Sequence, residues 1–229
     1  MNKVENKKNV PKSFIVPFWA KIFEILSAIS LFEFIRFCIP KSRFSYVFVE
    51  FYVIFNTIFS ISCLIISSQR SNLPITPLLS FVVFYGIYRT FEIVVYQINV
   101  LLFDHYRAST KSIEYAVRGY RRIVILLIHN YFEIIFWFGV FYVYLHRSGS
   151  LKFEKTNPVD TINFFSVFRD SVLLMFSYNS DHAKPTNDIG AFIFTMHALI
   201  GVLMTVMLLA RFVSILPTPN TMDEFESDK

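Results

Sequence analysis

Four apolar blocks, residues 44–68, 78–103, 123–145 and 190–216, constrain this chain more than any other feature. Each exceeds the roughly 20 residues that a helix needs to cross a hydrocarbon layer of about 30 Å. A water-soluble core rarely needs runs of that length. The composition agrees: 54% of residues are hydrophobic and 17% are Asp, Glu, Lys or Arg, against roughly a quarter charged in an average soluble domain. This excludes a soluble globular enzyme. With 6 Gly, 9 Pro and no low-complexity tract, it also excludes a collagen-like or disordered chain. No repeat of solenoid length is visible. The fold class read from this pattern is an all-α integral membrane protein with four transmembrane helices.

The segment 14–38 is apolar but carries Lys21, Glu24, Glu33 and Arg36, which fall within about half of a helix circumference. Four charges are costly in a lipid-facing span, so this stretch reads as an N-terminal interfacial amphipathic helix. The basic N-terminus resembles a signal peptide, but the charges interrupt the apolar region and no small-residue cleavage site follows, so it reads as uncleaved. Residues 104–122 form a basic connector with Arg107, Lys111, Arg118, Arg121 and Arg122. With the N-terminus cytoplasmic, eleven Lys and Arg residues fall on that side and five on the other. The positive-inside rule then gives both termini cytoplasmic. The expected location is the plasma membrane, preferably a bacterial inner membrane. Cys38 and Cys63 lie in or beside apolar stretches and read as small hydrophobes, not a disulfide.

The stretch 161–178 is apolar, but Asn163, Ser166, Arg169 and Asp170 interrupt it, so it reads as a half-length helix, not a crossing. A short helix that enters and returns as polar backbone makes a re-entrant loop. Such backbone survives at membrane depth only when buried in protein or lining water.

Residues 123–216 resemble the two-helix pore domain of the tetrameric potassium-channel superfamily. The resemblance rests on Phe164-Phe165-Ser166, on Tyr178 within Phe176-Ser177-Tyr178-Asn179, and on Pro185 followed by Ile189-Gly190-Ala191-Phe192. It continues along Leu199-Ile200-Gly201-Val202 to Leu209-Ala210-Arg211-Phe212-Val213-Ser214. The resemblance implies an outer helix, a pore helix, a filter and an inner helix, assembled as a homotetramer with 190–216 lining the axis. It implies a constriction of Ser177, Tyr178, Asn179, Ser180 and Asp181, pore-helix charges Arg169 and Asp170, and an inner-helix hinge at Gly201. Where the family has Thr-Val-Gly-Tyr-Gly, this chain has Met175-Phe176-Ser177-Tyr178-Asn179, which implies a non-standard selectivity. The domain organisation that follows is a cytoplasmic tail with interfacial helix (1–43), a two-helix membrane domain (44–103), the connector (104–122), the channel-like module (123–216) and an acidic cytoplasmic tail (217–229).

Ionisable residues inside spans are functional candidates by default. Arg89 and Glu92, at i and i+3, neutralise each other or serve gating. His129, Asn130 and Glu133 form a polar stripe that binds a proton or cation, or holds its helix against Arg89 or Glu50. Together Glu50, Arg89, Glu92, His129 and Glu133 are the expected intramembrane charge network. His197 faces a lumen or a neighbouring helix. The basic connector sets topology and touches anionic lipid, or docks a cytosolic protein partner; it lacks the interleaved aromatics suited to nucleic acid. No phosphate-cradling Gly loop, G-x-S-x-G, H-E-x-x-H or metal-ligand spacing occurs, so no enzyme activity, metal or cofactor is expected. Two functions remain: an ion channel with membrane lipid and ions as partners, or a tetrameric anchor with a channel-like fold that recruits a cytosolic effector.

Overall fold

The computed structural model describes residues 14–32, 35, 46–69, 74–110, 119–154, 162–178, 180 and 182–213. Helices α1 (Ile15–Ala28), α2 (Tyr46–Gln69) and α3 (Pro77–Ile98) are followed by a π-helical turn (Asn99–Phe103) and α4 (Asp104–Thr110). Then come α5 (Tyr120–Arg147), strand β1 (Leu151–Phe153), α6 (Phe164–Met175), strand β2 (Ala183–Pro185) and α7 (Asp188–Val213). Four stretches are long and apolar enough to cross a membrane: Val47–Gln69, Pro77–Phe103, Arg121–Arg147 and Asp188–Val213. They match the four expected blocks to within a few residues, and the chain is a multi-pass helical membrane protein. Helices are what hydrocarbon permits, because each satisfies its own backbone hydrogen bonds.

Local chemistry sets the helix starts. Thr76 caps α3, its Oγ1 accepting the Leu79 N–H at 3.2 Å, and Pro77 occupies the first turn. Asn163 and Ser166 form a reciprocal capping box on α6, with bonds of 2.9 and 3.1 Å.

The most buried of the four long helices is α5, at 67% of its most apolar window against 22% for α2 and α7. The core forms around its side chains Ile134, Trp137, Tyr142 and Val143, with Leu64 of α2, Val83 and Ile93 of α3, Val167 and Met175 of α6, and Met204 of α7. Helices α2 and α5 run in the same direction. Glu50 meets Arg122 at 2.6 Å at one end, and Arg147 donates to the Ser67 carbonyl at 2.9 Å at the other. Helix α7 starts beside Ser150, at the far end of α5, and finishes where Arg211 donates to the Val100 carbonyl at 3.0 Å. The end that carries Arg107, Arg121, Arg122 and Arg211 is called the basic end below, and the opposite one the ribbon end.

Three features differ from the sequence expectation. A short antiparallel ribbon, Leu151–Phe153 against Ala183–Pro185, interrupts the otherwise helical chain. It ties the two sides of the 154–182 excursion together, aided by the Lys184–Glu154 pair at 2.6 Å. The connector expected over 104–122 is helical at both described ends, because α4 continues from the π-helical turn and Arg121 and Arg122 belong to α5. Asn99 accepts from Arg107 at 2.5 Å across that junction. Helix α1 is shorter than the expected 14–38 stretch, and Glu33 and Arg36 lie outside the described residues. Its packing also differs: Phe23 stacks on Phe103 at 5.4 Å, and Tyr88 Oη donates to the Ile29 carbonyl at 2.5 Å. It therefore climbs alongside the half of α3 nearest the basic end.

Candidate functional site

Helix α6 has 12 residues and a length of about 18 Å, too short for a layer of about 30 Å. It runs down the faces of α5 and α7. Phe168 stacks on Phe136 at 5.5 Å, and Ser171 Oγ donates to the Ile135 carbonyl at 2.6 Å. Below them Phe176 meets Tyr131 at 6.0 Å. Tyr131 is 16 residues from Arg147, so the C-terminal end of α6 lies about 24 Å below the ribbon end of α5. Helix α7 gives a similar depth: Met175 lies against Gly201, which is 13 residues, or about 20 Å, from Asp188.

At that depth the backbone leaves the helix. Ser177 N–H donates to Leu174 O at 2.9 Å and Tyr178 N–H to Leu173 O at 2.8 Å. These are the paired bonds of a Schellman ending, in which glycine normally takes the left-handed position. Here Ser177 takes it, with φ +59°, at a cost of about 1–2 kcal/mol for a residue with a Cβ. Phe176, Ser177 and Tyr178 are all exposed, Tyr178 to 71%.

The chain then climbs past its own helix, held by Asp170. This carboxylate is fully buried. Its Oδ1 accepts from Ser180 Oγ at 2.8 Å and its Oδ2 pairs with His182 Nδ1 at 2.6 Å. Ser180 Oγ in turn accepts the His182 and Ala183 N–H groups at 3.2 and 3.1 Å. Arg169, the exposed neighbour, reaches Asp170 at 3.2 Å. Ser180 and Asp170, expected as constriction and pore-helix charge, thus face each other inside the fold as a staple between the descending and returning limbs. Asn179 and Asp181 lie outside the described residues. Replacing Asp170 with Ala leaves the Ser180 hydroxyl and His182 without their acceptor, which costs about 1–3 kcal/mol for a buried donor. The expected result is faster amide exchange across 176–183, with α2 and α3 unchanged, as read by hydrogen exchange with mass spectrometry.

The second cluster joins α1, α2, α3 and α5. Arg89 grips Glu133 with two bonds, Nε to Oε1 at 2.8 Å and Nη2 to Oε2 at 3.1 Å, and reaches Glu92 at 2.6 Å. Tyr52 Oη donates to Glu92 at 3.2 Å, and Trp137 Nε1 to Glu133 at 3.3 Å. The guanidinium also sits 4.8 Å from the Tyr52 ring centre. From the end of α1, Ser30 Oγ and the Phe32 N–H (2.8 Å) both donate to Glu92 Oε1.

Two members of the expected network stand apart from it. Glu50 pairs with Arg122 at the basic end, and the His129 ring bonds its own helix at Ile125 O, 2.8 Å away. The inward stripe of α5 is instead Asn130, Glu133 and Trp137, all buried. Of the expected docking residues, Arg107 is bound to Asn99, Asp104 and the Ala20 carbonyl, Arg122 pairs with Glu50, and Arg121 is exposed. Lys111 and Arg118 lie outside the described residues. Beside Arg107, burial raises the Asp104 carboxyl above its usual range, against the opposing pull of Arg107 and Arg211. His197 is buried between helices, stacked on Phe138 and bonded through Nδ1 to the Tyr142 hydroxyl.

Comparison with protein-family models, curated proteins and solved structures finds no match for this chain.

Proposed function

We propose that this protein is a channel-like membrane protein in which four copies assemble an ion-conducting pore of non-standard selectivity. One observation carries the reading: the exposed, non-helical residues Phe176–Tyr178, about 20 Å below the ribbon end. Non-helical backbone at membrane depth needs either a protein cover or water beside it, and a central conduit shared among copies supplies both. The carbonyl end of α6, the negative end of its dipole, points into the same region and favours a cation over an anion there.

The exposed surface of α7 is available for assembly. Phe192, Thr195, Leu199, Val202, Val206, Leu209 and Val213 are all exposed and recur at alternating steps of three and four residues. The opposite face, with Gly190, His197, Gly201, Met204 and Met207, is buried within the chain, so this stripe is the face that α7 offers to a second copy or to lipid.

Purified protein in nanodiscs should run as a tetramer by native mass spectrometry, and vesicles containing it should pass cations down a gradient. Replacing Asn179 or Asp181 should then change relative permeability. A monomer without flux removes the reading. A second reading has its own observation, the strained Ser177 where the resembling family has a filter glycine. It keeps the tetramer as a non-conducting anchor for a cytosolic effector, and a tetramer that passes no ion supports it.

A further inference from the structure

Helix α1 has three faces. Ala20 and Phe23 turn to the protein: Ala20 is buried and its carbonyl accepts from Arg107 at 3.2 Å, while Phe23 stacks on Phe103. Lys21 and Glu24 are exposed on a second face, beside a groove that Tyr106 and Thr110 line from α4. The third face is apolar and exposed, with Phe14, Ile15, Phe18, Trp19, Ile25 and Ile29. At 100° per residue these six cover an arc of about 140°. A surface helix in water does not leave such an arc bare.

The helix is also clamped at two points, near its middle and just past its C-terminus. Arg107 holds the Ala20 carbonyl at the basic end. Eleven residues further up α3 from Phe103, Glu92 takes the Ser30 hydroxyl and the Phe32 N–H, and Tyr88 holds the Ile29 carbonyl. From Phe103 to Glu92 is about 16 Å along the α3 axis. The C-terminal turn of α1 thus lies well inside the layer that α3 crosses, while its N-terminal half stays near the basic end. A 14-residue helix of about 21 Å cannot continue across.

We propose that α1 is a lipid-binding wedge. Its apolar face is covered by acyl chains of the leaflet at the basic end, and it is tilted so that Ile29 sits deeper than Trp19. The occupant is lipid because this face is continuous with the exposed apolar surface of the second span: Ile29 is held at Tyr88, and beside Tyr88 on α3 Ile87 is 50% and Phe91 43% exposed. Lys21 then stands at headgroup level, where a cation meets phospholipid phosphate. The tilt is fixed by Tyr88 and Glu92 acting together, and through Glu92 the wedge is mechanically joined to the Arg89–Glu133 pair.

The test uses the full chain in phospholipid vesicles and its two tryptophans, of which Trp137 is fully buried and Trp19 lies on the proposed lipid face. Lipids brominated at shallow or deep acyl positions quench by contact. Subtracting the W19F signal isolates Trp19, and a W19F/I29W chain reports the deeper position, with W19F/I25W as its substitute if that chain misfolds. Trp19 should lose most of its emission to shallow bromines, and the tryptophan at 29 or 25 most of its emission to deeper ones. Equal depth at both positions means a helix lying flat and overturns the tilt. Emission that bromines leave untouched overturns lipid as the occupant, acrylamide then separating water from a protein cover. Tyr88→Phe removes the hydroxyl that holds the turn after α1 at Ile29 and Leu31, and it should move the tryptophan at 29 toward the shallow bromines. An unmoved depth overturns the clamp.

Discussion

Arg89→Leu should be the most damaging single substitution among the polar residues of this protein, destabilising it by about 3–5 kcal/mol. The guanidinium is bound by two buried carboxylates, and its removal leaves Glu92 and Glu133 facing each other without a cation between them. Among the described residues, Glu92 retains neutral donors from Tyr52, Ser30 and Phe32, whereas Glu133 retains the indole N–H of Trp137. The opposite deletion is milder. Glu133→Leu leaves Arg89 paired with Glu92, a neutral couple at 2.6 Å. The double variant R89L/E133L should therefore be more stable than R89L alone, although it carries one more substitution. Thermal unfolding in nanodiscs followed by circular dichroism measures all three. An R89L protein that melts with the wild type, or a double variant worse than R89L, would show that the buried charges are balanced in some other way.

Arg89, Glu92 and Glu133 were legible in the sequence as ionisable residues inside spans, whereas Glu50 and His129, expected with them, stand apart. The four spans were legible because hydrocarbon demands length, and length is a property of the sequence alone. The half-length of α6 was legible for the converse reason, since Arg169 and Asp170 interrupt its apolar run. Partners were harder. His129 and Glu133 share a helix face by spacing, but Glu133 points into the core with Trp137 while His129 stays at the edge beside Ile125. The long Arg89 side chain reaches only the former. Two donors to Glu92 come from the turn after α1, one of them a backbone N–H, and a backbone donor leaves no residue signature. The Asp170 staple was hidden in a similar way. Ser180 and His182 lie on a non-helical limb whose register neither the 3.6 nor the 2.0 period describes.

Gly201→Ala separates the bending role that the family resemblance implies for this residue from the close packing that the structure shows. A bending point in α7 would gain from the change: alanine is better than glycine in a helix interior by about 1 kcal/mol, so the protein would melt higher and α6 would be undisturbed. Close packing predicts the opposite sign. A Cβ on Gly201 would stand 2.0 Å from the Met175 carbonyl oxygen, 2.8 Å from its carbon and 3.1 Å from its Cα. All three are backbone atoms, so no side chain can rotate away, and the end of α6 must shift bodily. Overpacking of this sort costs about 1–3 kcal/mol, and the rigid neighbour puts this case at the upper end. The steric cost exceeds the gain in propensity, and G201A should melt lower. It should also loosen the segment that Met175 precedes, raising amide exchange across 176–183 and, where vesicles conduct, altering ion flux. Phe84→Leu, at an exposed position of α3, serves as the control, with little effect on melting. A G201A protein with a higher melting point and unchanged exchange would restore the bending role and place α7 further from Met175 than 2.0 Å allows.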